Sequence, residues 1–111
     1  MQQEAEKIRK EIAAYMDCDL FVRSQARLAE LKKEEEAKLQ ALAELQQAYV
    51  SANSDAERDH VKQMVGRIRE MSKLARAEMR DLKQEILAHM PYEKANDLYE
   101  RLLRSTDARN L

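Results

Sequence analysis

The sequence predicts an all-α fold: an antiparallel, coiled-coil-like helical hairpin with a short C-terminal helix, and a stretch at Asp17–Asp19 where the first helix either breaks or runs through. Three observations carry this expectation. The 111 residues include one Gly, one Pro, one Phe and no Trp, while Ala, Leu, Glu, Lys, Arg, Gln and Met, all good helix formers, dominate. One short polar break, Ser51-Ala52-Asn53, separates two long helical patterns. Pro91, the single proline, stands between the second pattern and a third.

By length the chain is expected to form one helical domain over residues 1–111. Its first helical pattern holds two stripes. Placed at about 100° per residue, Ile8, Ile12, Tyr15, Val22 and Ala26 share one face. Leu28, Leu31, Leu39, Leu42 and Tyr49 lie nearly opposite, with Leu45 at the edge. The stripe changes sides between about residues 20 and 28, so either one straight helix faces two partners or segments 3–16 and 20–50 are separate helices. Asp17 and Asp19 favour the break, because Asp is poor inside helices and good at their starts.

A second helix is expected over 55–89. Ser54-Asp55-Ala56-Glu57 has the form of a capping box, in which the Ser54 hydroxyl accepts from the Glu57 amide and the Glu57 carboxylate reaches back to the Ser54 amide. The short connection before it makes the two helices antiparallel neighbours. The apolar positions Val61, Met64, Val65, Ile68, Met71, Ala75, Met79, Leu82 and Ile86 read as a heptad interrupted around Ala75, with Met64, Met71 and Met79 as core. Leu74 and Leu87 fall outside this stripe and widen the apolar surface beyond what one partner helix covers, which points to a bundle or a dimer.

Pro91 ends the second helix and suits the start of a third, 92–104, with Tyr92, Ala95, Leu98, Tyr99, Leu102 and Leu103 on one face. The polar tail, 105–111, is expected to fray. The third helix is the natural intrachain mate of segment 3–16, because both lie at the end of the hairpin away from Ser51; a second copy of the chain is the other candidate.

Charge excludes some functions. Charged residues are 37% of the chain, yet 20 Lys+Arg nearly cancel 21 Asp+Glu, which argues against holding nucleic acid or anionic lipid by bulk charge. The one local asymmetry is the basic face of residues 62–83, where Lys62, Arg67, Arg69, Lys73, Arg76, Arg80 and Lys83 outnumber Glu70, Glu78 and Asp81. Complementarity with Glu34-Glu35-Glu36 is the simpler explanation of that excess. No apolar run resembles a membrane span or export signal, and a single cysteine forms no intrachain disulfide, so a cytoplasmic or other reducing interior is expected.

Signals for chemistry are weak. Glu57-x-x-His60 has the spacing used in helical di-iron bundles, but it sits in a first turn where Glu57 already serves the cap. Glu85 and His89 form a second pair about 40 Å along the helix. Cys18 lies between two acids, which disfavour its thiolate, and no histidine is near it in sequence. There is no Gly-rich phosphate loop and no triad signature, so no enzymatic activity, cofactor, metal ligand or small-molecule substrate is expected. Asp55, Glu57 and Asp59 place three carboxylates at the tip of a long antiparallel pair. That shape resembles the factors that push an acidic-tipped coiled coil into the secondary channel of bacterial RNA polymerase. The resemblance covers the tip alone, where acids are equally explained by the helix dipole.

The expected function is therefore that of a non-catalytic protein–protein interaction subunit, adaptor or assembly factor working through helix faces, by self-association or with protein partners. The residues expected to make those contacts are Ile8, Ile12, Tyr15, Leu98, Tyr99 and Leu102, which the hairpin itself does not cover, and Gly66, where a second backbone has room to approach. The alternative is a nucleic-acid-associated or transcription regulator using Arg67, Arg69, Lys73, Arg76 and Arg80, and the third reading is a helical-bundle metal protein.

Overall fold

The computed structural model describes the backbone of residues 2–110 and the side chains of residues 3–105. Four helices follow one another: α1 (Gln2–Ala13), α2 (Cys18–Ser51), α3 (Asp55–Leu87) and α4 (Tyr92–Asn110). The described residues contain no strand. Packing divides them into two compact units, one made by the chain up to Leu28 and from Arg80 onward, the other by Ala29–Met79.

The break falls at residues 14–17, at the Asp17 expected to cap a helix and ahead of residues 20–28, where the stripe was expected to change sides. Those residues lie inside unbroken α2, with Phe21, Ser24, Leu28 and Leu31 buried and Ala26 exposed. Asp17 is the N-cap of α2: its carboxylate accepts from the Leu20 amide at 2.9 Å and its carbonyl from Phe21 at 3.0 Å. The cap satisfies a backbone donor that the first helical turn leaves without a partner. Replacing it by Ala is expected to cost about 1 kcal/mol, read as a lower urea midpoint with an unchanged slope.

In the first unit α1 packs on α4. Ala5, Ile8, Ile12 and Met16 from the α1 side meet Ala95, Leu98 and Leu102 of α4 in a core that also holds Phe21 and Ile86. Phe21 is fully buried and meets Tyr99 edge-on, with ring centroids 6.4 Å apart and planes at 73°. At the rim, Arg101 bonds Glu11 at 3.4 Å, and Lys83 lies 5.7 Å from the Tyr92 ring centroid.

This unit contains a repetition that the sequence reading missed. Ile12-Ala13-Ala14-Tyr15-Met16-Asp17 and Ile86-Leu87-Ala88-His89-Met90-Pro91 form the same turn. In each, the final alanine amide bonds four residues back (Ala14 to Lys10, Ala88 to Gln84), and the next two amides converge on one isoleucine carbonyl, Ile12 or Ile86. Ile12, Met16, Ile86 and Met90 are all buried. The helices that follow also match, Phe21, Ser24, Leu28 and Leu31 being buried in α2 where Ala95, Leu98, Leu102 and Ser105 are buried in α4. An Asp cap opens one helix and Pro91 the other, so the two turns differ mainly in how the orphan donors at the helix start are handled.

The second unit is the hairpin. Glu57 donates its amide to the Ser54 hydroxyl at 3.2 Å, as the capping box requires, but its carboxylate accepts from the Asn53 amide at 3.0 Å instead of from Ser54. Across the pair, Lys62 lies 5.8 Å from the Tyr49 ring centroid and Arg58 reaches the Ala52 carbonyl at 3.5 Å.

The seam between these helices is an uninterrupted heptad. On α2 it runs through Leu31, Glu35, Lys38, Leu42 and Leu45, and on α3 through Val61, Val65, Ile68, Ser72, Ala75 and Met79, all buried or half-buried. Ser72 therefore takes the position that hydrophobicity assigned to Met71, and no slip occurs at Ala75. Met64 and Met71 are consequently not core, and Leu39 gives way to the pair Glu35 and Lys38, bonded at 3.2 Å. The hairpin has a polar layer at its middle, where Arg76 also approaches Glu35 at 3.8 Å.

α3 stops at Leu87 and α4 continues to Asn110, beyond the 92–104 span expected. Of the tail expected to fray, Ser105 is buried inside α4; the side chains of residues 106–110, and Leu111, lie outside the described residues. No helix among the described residues is long and apolar enough to cross a membrane.

Candidate functional site

The first candidate contact residues are already in use. Ile8, Ile12, Leu98 and Leu102 are buried inside the first unit, because α4 folds back onto α1 and covers the stripe that the hairpin leaves open. They form a core and not an exposed docking face. Tyr99 is half-buried against Phe21, and burial pushes its phenol pKa up. Tyr15 remains accessible, but the Lys94 ammonium sits 4.7 Å from its ring centroid. The hydrogen bond to Tyr15 raises the Lys94 pKa.

Gly66 is exposed on α3, and a Cβ built there meets no atom within 4 Å. No described backbone approaches it, and its φ is not positive. Gly66→Ala is expected to stabilise the hairpin by about 0.5–1 kcal/mol, measured by thermal unfolding; a loss of stability would show that the position needs its glycine.

Four of the five basic candidates share one face and the fifth does not. Arg67, Arg69, Lys73, Arg76 and Arg80 are all exposed. At about 100° per residue, Arg69, Lys73, Arg76 and Arg80 fall within roughly 60° of one another while Arg67 points nearly the opposite way. Arg76 lies 3.8 Å from Glu35 and Lys73 lies 3.8 Å from Glu70. The approach of Arg76 to Glu35 is the cross-hairpin complementarity that the charge pattern suggested.

For metal chemistry, no group of three or more His, Cys, Asp or Glu among the described residues is arranged to hold an ion. Glu57 is committed to the cap. Cys18 is half-buried, and its thiol pKa is raised chiefly by that burial, with Arg9 opposing and Asp19 and Asp17 adding. At the hairpin tip, Asp55 bonds Arg58 at 2.8 Å, so two of the three tip carboxylates have local structural partners.

What the sequence reading missed is a second row of side chains on α3. Shifting the seam by one residue gives His60, Met64, Arg67, Met71 and Leu74, again at four-three spacing. Met64 is 38%, Met71 56% and Leu74 74% exposed. The row lies about 100° around the helix from the buried seam. The signal was present in the 4-3-4-3 period itself, once a serine is accepted in the seam at position 72. Comparison with protein-family models, curated proteins and solved structures finds no match to this chain.

Proposed function

We propose that the chain is a non-catalytic interaction protein, a subunit, adaptor or assembly factor, which engages other proteins through the outer face of α3 and not through α1 and α4. The observation that supports this reading is the row Met64, Met71 and Leu74, three accessible apolar side chains at coiled-coil spacing on one helix. Single exposed apolar residues are ordinary on any surface. A row with seven-residue periodicity is the form a helix takes when a second helix lies along it.

A two-helix unit has a physical reason to keep such a face. Each helix covers only one side of the other, so positions off the seam stay open unless a third element arrives. The test is recovery of partners from an extract of the protein's own cells with the tagged chain and with Met71→Glu/Leu74→Glu. The reading predicts that a stoichiometric protein is retained by the natural chain and lost by the variant. Retention of the same partners by both would overturn it.

A further inference from the structure

We infer that a second copy of this chain packs along α3 in antiparallel orientation, with the row Met64, Arg67, Met71 and Leu74 as an isologous seam. The inference rests on the reading of the outer α3 face as a docking surface, and it names the occupant.

Two properties of the row select a second copy. The first is its period: four-three spacing requires a helical partner whose own row repeats every seven residues, and α3 of another copy has that row by construction. The second is charge complementarity under a two-fold axis. Antiparallel pairing that sets Met64 against Leu74 of the second copy also sets Arg67 against Met71 of the second copy. Each apolar end then covers an apolar end, and the Arg67 stem lies along a methionine. Its guanidinium reaches the neighbourhood of Glu70 of the second copy, and by symmetry the reverse pair forms as well. Glu70 is paired with Lys73 at 3.8 Å, both side chains being about three-quarters exposed, so little is lost when it turns to a new cation.

The neighbouring surface permits the approach. By the same helical geometry, the α2 positions bordering this flank of the hairpin are Ala41 and Ala48, with Glu34 toward the Leu74 end, while Leu39 and the cationic row of Arg69 and Lys73 border the opposite flank. Small side chains beside Met64 and Met71 let another helix settle into the angle between α2 and α3. The opposite flank sets like charges against a symmetric partner.

Sedimentation of the purified chain over about 1–100 µM tests this. The expected mass is twice the 13.0 kDa of the chain, with Leu74→Glu raising the dissociation constant about 100-fold or more, because the symmetric seam then buries two unpaired carboxylates. Leu74 is mostly exposed, so far-ultraviolet circular dichroism should be unchanged by this substitution. Leu39→Glu, on the other flank, should leave the dimer intact. A second measurement fixes the orientation: with Cys18→Ser in every chain, a short bis-maleimide should join Met64→Cys to Leu74→Cys in a mixture. It should not join Leu74→Cys to itself, those positions lying on the order of 15 Å apart along the seam.

A natural chain that sediments as 13.0 kDa throughout, a dimer indifferent to Leu74→Glu, or efficient Leu74→Cys self-linking would each overturn the inference. A monomer whose Met71→Glu/Leu74→Glu variant nevertheless loses a different protein from cell extract would end self-association while supporting the adaptor reading. A dimer of the expected geometry that captures no other protein would do the opposite.

Discussion

Phe21→Ala is expected to cost about 3–5 kcal/mol of stability, the largest effect of any single side-chain truncation in the chain. Phe21 is the bulkiest of the fully buried side chains. It lies one turn after the Asp17 cap, so its backbone is fixed before its ring packs, and its ring meets the edge of Tyr99. Truncation removes the ring's own burial, opens a cavity, and strips the edge-on contact that such aromatic pairs add beyond area. Tyr99 would also gain access to water, and its phenol pKa would fall back toward the ordinary tyrosine value because its present rise comes from burial. Chemical denaturation monitored by circular dichroism, with tyrosine absorbance titrated in parallel, measures both. A cost under about 1 kcal/mol would mean that Phe21 is not held in a packed core.

Ile12→Ala and Ile86→Ala form the second prediction. Each should destabilise by about 2–5 kcal/mol, and the two costs should be similar. Both side chains are buried at the start of equivalent turns, and both carbonyls accept two converging amides. The two residues enter from different helices, yet the repeated turn gives them matching roles beside Met16 and Met90. Equal costs in paired denaturation curves would bear out the repetition. A large cost at one position with a negligible cost at the other would show that the matching turns are not energetically equivalent.

How far these features were legible in the sequence depends on which signal carried them. The break at Asp17 was legible because Asp caps helices well and sits poorly inside them; the stripe change read at residues 20–28 pointed to a break but lay several residues too late, inside α2. The hairpin turn was legible from Ser54 and Glu57, although the carboxylate of Glu57 found the Asn53 amide, a choice between adjacent donors that spacing does not resolve. The third helix's position beside segment 3–16 followed from topology, and α1 does pack on α4. The inference then drawn from Ile8 and Leu98 failed because an intrachain mate that covers a stripe leaves none of it for another molecule.

The seam on α3 was misread for a different reason. Weighting positions by hydrophobicity preferred Met71 over Ser72, whereas the packing follows period: each seam residue is set by the helix repeat, and a small polar side chain fits there beside Ala75. That one-position error hid the outer row. The length of α4 was illegible because residues 105–110 contain neither Gly nor Pro and carry no stop signal.

Methionine oxidation is the most direct test of the claim that α3 turns an apolar face outward for docking. Peroxide converts accessible methionines to sulfoxides, and peptide mass spectrometry resolves them one by one. In the dilute chain Met64 and Met71 should oxidise quickly while Met16 and Met90 stay protected, and in the complex Met64 and Met71 should become protected too. Oxidation of Met16 or Met90 as fast as Met71, or a formed complex that leaves Met64 and Met71 as reactive as before, would contradict the account.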